Sequence, residues 1–375
     1  MLKGINLTLL IGPAVPIPAP KMVVESLESV QVNSQGTKTG FQLTFTISNR
    51  SLLLTTMLPA GYFDPMQTRV IIIVILRGLP NVISDGMVTR QELAPSSEPG
   101  QSKLTITGED LSVLMDVVEV KRPFPNMPEL ARINAVLAPY ASFGIAPIAI
   151  PPVIFSVPVA TSEIPTQSET DLAYLNKMAS RNGYVFFVEP NPLVPGANFA
   201  YFGPDIRIPN PQRALSVNWD SHTNVESISF SLDGLKKEII IATILDPITK
   251  KVPMPLPFPT INPIRPPLGA RLTPPAKVKF SSDLANLKPD EAAKRILGEM
   301  VRSSDAITSS GSLDVLRYER ILRSRQLVGV RGAGITYDGY YYVNSVTHNI
   351  KPGEYKQNFS LSRDGLISQT PRVLA

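Results

Sequence analysis

Residues 77–110 read RGLPNVISDGMVTRQELAPSSEPGQSKLTITGED, and residues 331–365 read RGAGITYDGYYYVNSVTHNIKPGEYKQNFSLSRDG. Each stretch opens on Arg-Gly (Arg77-Gly78, Arg331-Gly332) and then carries Asp-Gly (Asp85-Gly86, Asp338-Gly339) and a β-type run. Pro-Gly follows (Pro99-Gly100, Pro352-Gly353), then a lysine (Lys103, Lys356) and a second alternating run. From Asp to Pro is 14 residues in both copies, and from Pro to Lys is four. An acidic residue follows each second run (Asp110, Asp364). Asp-Gly and Pro-Gly are ordinary turn dipeptides, so two unrelated hairpins can share them. Turn preference alone does not fix distances, and the equal offsets point to duplication. Two copies predict a duplicated domain rather than a solenoid. A shorter echo precedes each copy, Val24-Glu25-Ser26-Leu27 and Val225-Glu226-Ser227-Ile228.

The flanks of both copies read as β. Phe41 to Ser48 alternates, with Phe41, Leu43, Phe45 and Ile47 on one face. Arg69 to Gly78 is a continuous apolar run, the mark of a strand covered on both faces. Glu109 to Val117 reads as one or two helical turns with acidic residues at the start. LSVNW and ESISFSLDG are strand signals after Ala214, and a proline-rich extended run covers about 248–275. A helical pair is expected over about 288–325. Its first helix starts at Pro289 and shows Ile296, Leu297, Met300 and Val301 on one face. Its second runs from about Ser312 to Arg325. GYYYVNSVTHNI and YKQNFSLSRDG are the closing strands.

Between 126 and 210 the pattern changes. Glu129 to Phe143 has a helical spacing at Leu130, Ile133, Val136, Leu137 and Tyr140, and a proline-bounded apolar strand follows. In SETDLAYLNKMASRNGYVFFVEP, Ser168 or Thr170 can cap a helix whose inner face is Leu172, Leu175, Met178 and Ala179. Asn182-Gly183 stops it, Tyr184 to Val188 is a strand, and Ala197 to Pro204 is its expected partner. The fold class is therefore α+β, mainly β. A first β domain covers 1–125, an α/β insert 126–210, and a second β domain with the helical insert 211–375.

A chain of 375 residues is long enough for two or three domains with sizeable cores. It is 43% hydrophobic and 18% charged, which implies a folded protein with a weakly charged surface. Its 37 prolines are about twice the usual share of roughly 5% and fit punctuation between strands. No cysteine is present, which excludes disulfides and thiolate metal sites and leaves the compartment open. The net charge of +5 is too mild to call for nucleic acid without a basic stripe. The opening MLKGINLTLLIGPAVPIPAP breaks into prolines too early for a signal peptide and predicts a strand followed by an extended arm. The 30 uncharged residues between Arg132 and Glu163 are long enough to span a bilayer. They contain Pro139, Pro147, Pro151, Pro152 and Pro158, so a buried helix and strand are expected instead, with no stable membrane insertion.

Catalytic material is scarce. The two histidines are His222 and His348. Asp220-Ser221-His222 has the residue types of a triad, but triads are assembled from separate parts of a fold. A polar turn is the expectation there, and a surface position on a strand for His348. No nucleophile elbow, phosphate loop or zinc helix occurs, and GVRGAG (329–334) has the wrong glycine order for a dinucleotide fingerprint. Arg317, Arg320, Arg323 and Arg325 crowd the last expected helix, as a solvated face or as a charged contact with a partner subunit. Neither catalytic, cofactor-binding nor metal residues are assigned, and an enzyme is not expected.

KLTITGEDLSVLMD, TDLAYLNKMASRNGYVFFVEP, NFAYFGP and LVGVRGAGITYDGYYYVNSVTHNIKPGEYKQNFSLSRDG, in that order, resemble phage tail baseplate hub proteins. This is the late-control gene D family, related in fold to the N-terminal hub part of type VI secretion spike proteins. The resemblance covers nearly the whole chain and carries over no catalytic residue or cofactor. It implies two β-barrels shaped like tail-tube subunits with the α/β domain between them. Three such subunits present six barrels, so a homotrimer can join a hexameric tail tube to a trimeric spike, with sheet edges covered across subunits. No needle or lysozyme domain follows the last hairpin before Ala375, so the spike is expected to be a separate chain. The implied partners are tube, spike and other baseplate proteins, with no small-molecule substrate, and with nucleic acid or protein cargo passing through the channel. The implied place is a phage virion tail baseplate or a contractile injection particle assembled in the bacterial cytoplasm. Other readings are a β-rich cell-envelope hydrolase of a tail particle, and a secreted or membrane-attached binding protein.

Overall fold

The alternating run at Phe41 lies in a large sheet. In this computed structural model the described residues are 5–13, 15–152, 164–205, 211–244, 254–257, 267–274, 276–281 and 305–369. The first region holds β1 (Ile5–Gly12), β2 (Ile17–Pro18), α1 (Lys21–Ser26), β3 (Leu27–Gln35), β4 (Lys38–Ile47), β5 (Arg69–Leu76), β6 (Leu79–Ala94) and β7 (Ser102–Asp110). They pair in the order β3-β4-β7-β6-β5-β1-β2. Phe41, Leu43, Phe45 and Ile47 are all buried on one side of β4, as their period-two spacing requires. β5 is covered on both faces: Val70, Ile72 and Val74 enter the main core, while Ile71 and Ile73 pack with Val82. After β7, the Asp110 carboxylate accepts the Ser112 N–H at 3.0 Å and caps a short 3-10 helix, Leu111–Asp116.

The middle region holds β8 (Glu119–Pro123), α2 (Glu129–Leu137), β9 (Ile145–Ala149), β10 (Thr166–Thr170), α3 (Asp171–Arg181), β11 (Val185–Pro190) and β12 (Asn198–Gly203). Pro139 turns the end of the first expected helix into a 3-10 segment, Ala138–Phe143. Thr170 caps α3 by accepting the Ala173 N–H at 3.2 Å. Leu172, Leu175, Met178 and Ala179 are buried on one side of α3, as their spacing indicated. β11 and β12 pair antiparallel, and β9 joins β12 in parallel. The apolar strand expected after Phe143 is β9, which ends just before Pro151.

The last region holds β13 (Gln212–Ser216), β14 (Ser227–Leu232), β15 (Glu238–Ile244), β16 (Met254–Pro257), β17 (Gly269–Leu272), β18 (Lys277–Ser281), β19 (Ile307–Asp314), α4 (Val315–Tyr318), β20 (Leu327–Arg331), β21 (Gly339–Lys351), β22 (Glu354–Arg363) and β23 (Gly365–Ser368). The helix expected from Pro289 lies outside the described residues. The helix expected from Ser312 to Arg325 is not formed. β19 runs to Asp314, which caps a single turn, and Glu319 ends that turn in the left-handed region at φ 66°. The cause is non-local, because Ser309–Ser312 sit between β14 and β22 and sheet packing overrides local spacing. A Cβ at Gly311 would stand 2.3 Å from the Ser227 carbonyl oxygen, and glycine leaves that space to the Phe359 ring.

Two five-strand runs share one pairing order. The first is β3-β4-β7-β6-β5 and the second β14-β19-β22-β21-β20. Both carry a register break opposite the same place: β6 shifts between Val88 and Arg90 against Gly108 and Thr107, and β21 between Val343 and Ser345 against Leu361 and Ser360. Lys103 and Lys356 therefore hold matching positions, but Asp85 and Asp338 do not. Asp85 lies inside β6 opposite Ile71, whereas Asp338 precedes β21. Asp338 sits two residues further ahead in its strand's frame, and the second hairpin loop is two residues shorter, so the two differences cancel in the sequence. The upstream echo is also displaced. Val24–Ser26 is in α1, and Leu27-Glu28-Ser29-Val30 at the start of β3 is the true counterpart of Val225-Glu226-Ser227-Ile228. The ion pairs fix that alignment, since Lys103 binds Glu28 and Lys356 binds Glu226.

Candidate assembly surface

Burial of one side of each strand places the intervening residues on the other side. Here that other side is polar across eight strands. It crosses from one half of the chain to the other because Ser345–Ile350 of β21 pair with Val30–Gln35 of β3. One row in register runs Arg90, Thr107, Gln42, Gln31, Asn349 and Lys356. A second runs Asn33, Thr347, Asn358, Ser312 and Ser227. Hydroxyls and amides bond along these rows, Gln31 to Asn349 at 3.2 Å and Thr347 to Asn33 at 3.1 Å, and Ser345 bonds to Ser360 at 2.7 Å in the next row. Over β3, β4 and β7 the face dips into a concavity lined by Gln31, Asn33, Gln35, Lys38, Gln42 and Thr107.

The charges on this face neutralise one another locally. Lys103 pairs with Glu28, Arg90 with Glu92, Lys38 with Glu109 at 3.5 Å, and Lys356 with Glu226 at 3.0 Å and Glu354 at 3.3 Å. Hydrogen bonds from Lys103 and Thr46 hold the Glu28 carboxyl below its ordinary range. In the second half, Glu226 and Glu354 raise the Lys356 ammonium. Cations so matched release few counterions to a phosphate backbone, and the rows named here form no basic stripe.

His222 closes a 3-10 turn, Asp220–His222, between β13 and β14, with its Nδ1 3.4 Å from the Ser221 hydroxyl. That is the expected polar turn. His348 is not at the surface. It is 5% exposed, its Nδ1 lies 2.7 Å from the Tyr355 hydroxyl, and burial pushes the imidazole down to about 3. The signal was in the strand's parity, since Val346, His348 and Ile350 share the core side of β21. The arginines do not share a helix face. Arg317 and Arg320 are exposed, Arg323 donates to the Val82 carbonyl at 3.2 Å, and Arg325 lies 4.5 Å over the Phe187 ring and donates to the Gly36 carbonyl at 2.8 Å. In GVRGAG, Gly332 has φ 88°, and a Cβ there would stand 1.9 Å from the Val217 carbonyl oxygen. Among the described residues no group of three or more acidic or histidine side chains is placed to hold a metal ion. None of their helices is long and apolar enough to cross a membrane.

Sequence reading missed a buried ion pair between the large sheet and the middle region. Arg69, at the start of β5, donates from Nε and Nη2 to the two Asp85 oxygens, both at 2.7 Å. Asn198 of β12 donates to the same carboxylate at 2.9 Å, which ties the middle region to the large sheet.

No family model matches the chain, and no curated protein matches its sequence. Solved structures do match its fold. The tail protein from Neisseria meningitidis MC58 superposes with a TM-score of 0.61 at 15% identity, covering 97% of this chain and 98% of that one. The chain has the fold of a phage tail protein. The 43 kDa tail protein of prophage MuSo2 from Shewanella oneidensis gives 0.62 at 13% identity, covering 96% and 99%. The Escherichia coli c3393 protein, described as a component of the type VI secretion system similar to the T4 tail proteins gp27 and gp5, gives 0.54 at 11% identity, covering 93% and 75%. A chain of the Francisella PdpA-VgrG complex gives 0.59 at 10% identity, covering all of this chain and 60% of that one. The tail-protein fold thus extends over both strand runs and the middle region together. It agrees with the mainly β, α+β class read from the sequence.

Proposed function

We propose that this chain is the structural hub of a phage tail baseplate or a related contractile injection particle. Three copies ring the tail axis and join the hexameric tube to a trimeric spike. Each contributes two tube-like barrels, one within 1–125 and one within 211–375, with the α/β domain of 126–210 between them. The observation that carries this reading is the shared strand order of the two runs, with the same lysine–glutamate pair in each. A duplicated subunit gives six quasi-equivalent positions from three chains, which is what a six-fold to three-fold junction needs. The continuous polar face lines the channel. Its self-paired charges and hydroxyl-rich rows give nucleic acid or protein cargo no strong site at which to stall. Particle assembly takes place in the bacterial cytoplasm, and the protein does no chemistry.

A symmetry-resolved reconstruction of the particle is the direct test. Three copies on the tube axis are expected. Six copies, or a location on sheath or fibres, would overturn the reading. A milder check concerns the exposed turn: His222→Ala should leave infectivity or injection unchanged and stability within about 0.5 kcal/mol, as for surface sites generally. A purified chain that cleaves envelope polymer and loses that activity in His222→Ala would instead support a hydrolase.

A further inference from the structure

Among the described residues the large sheet leaves two edges unpaired at positions that correspond to a pairing already made within the chain. β21 uses one edge twice, with Gly339–Tyr342 on β20 and Ser345–Ile350 on β3. β6 is its counterpart in the first run. Leu79–Met87 of β6 pair with β5, but on that same edge Arg90–Ala94 have no strand partner among the described residues. β14 is the counterpart of β3, and among the described residues it pairs only with β19. Among the described residues each edge leaves backbone groups without a strand partner, and each exposes an apolar side chain, Leu93 at 44% and Leu232 at 40%. Such edges are templates for another strand.

We propose that β14 of one copy pairs antiparallel with residues 90–94 of β6 in a second copy of this chain, repeating between subunits the β3–β21 junction made within each. The register transfers directly. Val88 matches Val343 in the first-strand frame and Ser29 matches Ser227 in the edge-strand frame, so the pairing of Thr347 with Asn33 becomes Glu92 opposite Ser231. Leu93 then faces Phe230, Ala94 faces Ser229 and Gln91 faces Leu232. The sides agree. Glu92, Ala94, Ser229 and Ser231 fall on the polar face, while Leu93, Phe230 and Leu232 fall on the core side with Gln91 at its margin. The contact is head-to-tail, so it continues from copy to copy and closes into a ring when the rotation fits. It rests on the hub reading for the number of copies in that ring.

The chain has no cysteine, so introduced thiols report without background. Opposed residues in an antiparallel pair lie within the roughly 4.4–6.8 Å Cα separation that a disulfide spans. Glu92→Cys combined with Ser231→Cys should give chain-to-chain disulfides under mild oxidation of isolated tail particles, and neither single variant should. The register-shifted pair, Glu92→Cys with Ser229→Cys, should cross-link at least tenfold less. If the first double variant fails to assemble, Ala94→Cys with Ser229→Cys probes the next opposed pair. Particles that contain the chain but show no cross-link, or cross-link equally in the shifted pair, would overturn the edge pairing and leave the hub reading standing. Particles that assemble without the chain on their axis would overturn both.

Discussion

Asp85→Ala should lower the stability of the folded chain by about 3–5 kcal/mol, read as a fall in the denaturant midpoint at constant slope. The Asp85 side chain is fully buried and that of Arg69 is 4% exposed. The two groups meet in the fork-to-fork geometry that gives a guanidinium its strongest carboxylate contact. Removing the carboxylate leaves a buried cation without its counter-charge, and that desolvation cost dominates the effect. It also strips Asn198 of an acceptor, so the loss reaches across to β12. Asp85→Asn, which keeps the shape and one acceptor, should fall between the two. Replacing both partners, Arg69→Met with Asp85→Leu, should recover most of the loss, because no charge is then left buried. A midpoint for Asp85→Ala equal to that of the parent chain would remove the pair from any role in holding the regions together.

Asp85 also shows where the sequence stops being legible. As Asp-Gly it looks like a turn, and its counterpart by spacing, Asp338, does sit ahead of a strand. Only the partner 16 residues earlier reveals Asp85 as a residue of a strand interior. The elements that were readable are those whose reasons are local. β4 follows from alternation, and α3 follows from its apolar stripe, the Thr170 cap and Gly183 at φ 66°. The segment 312–325 failed for the opposite reason, since its conformation is set by neighbours at Ser227 and Phe359. The polar face was half legible. Each strand's polar side follows from its own parity, but the continuity of eight such sides depends on β21 reaching β3, a contact between residues more than 300 positions apart. The lysine–glutamate pairs needed the same long-range information, because Val24-Glu25-Ser26 and Leu27-Glu28-Ser29 are near copies in sequence and only pairing distinguishes them.

His348 should make the protein acid-sensitive well above the range in which carboxylates titrate. Its side chain is buried on the core side of β21, where Nδ1 lies 2.7 Å from the Tyr355 hydroxyl and 3.3 Å from Gln357 Nε2. Burial, and secondarily the Arg323 charge, push its pKa from an ordinary value near 6.5 down to about 3. In the unfolded chain the ring takes up a proton as pH falls through about 6.5, while in the folded chain it stays neutral to about 3. The unfolded state therefore binds more protons across that window, and stability falls as pH falls. The loss should reach about 2 kcal/mol by pH 5 and about 4–5 kcal/mol near pH 3. Carboxylates held low, such as Glu28, add their own loss only further down, and burial raises the Asp110 carboxyl, so comparison with a variant that cannot titrate is what isolates the histidine. His348→Asn keeps an acceptor for the Tyr355 hydroxyl but cannot take up the proton. Urea midpoints for the two proteins should diverge in slope over that interval, with the parent chain losing about 2 kcal/mol more than the variant. Parallel curves would mean that the ring takes up its proton equally in the folded and unfolded states, and burial would then not govern its titration.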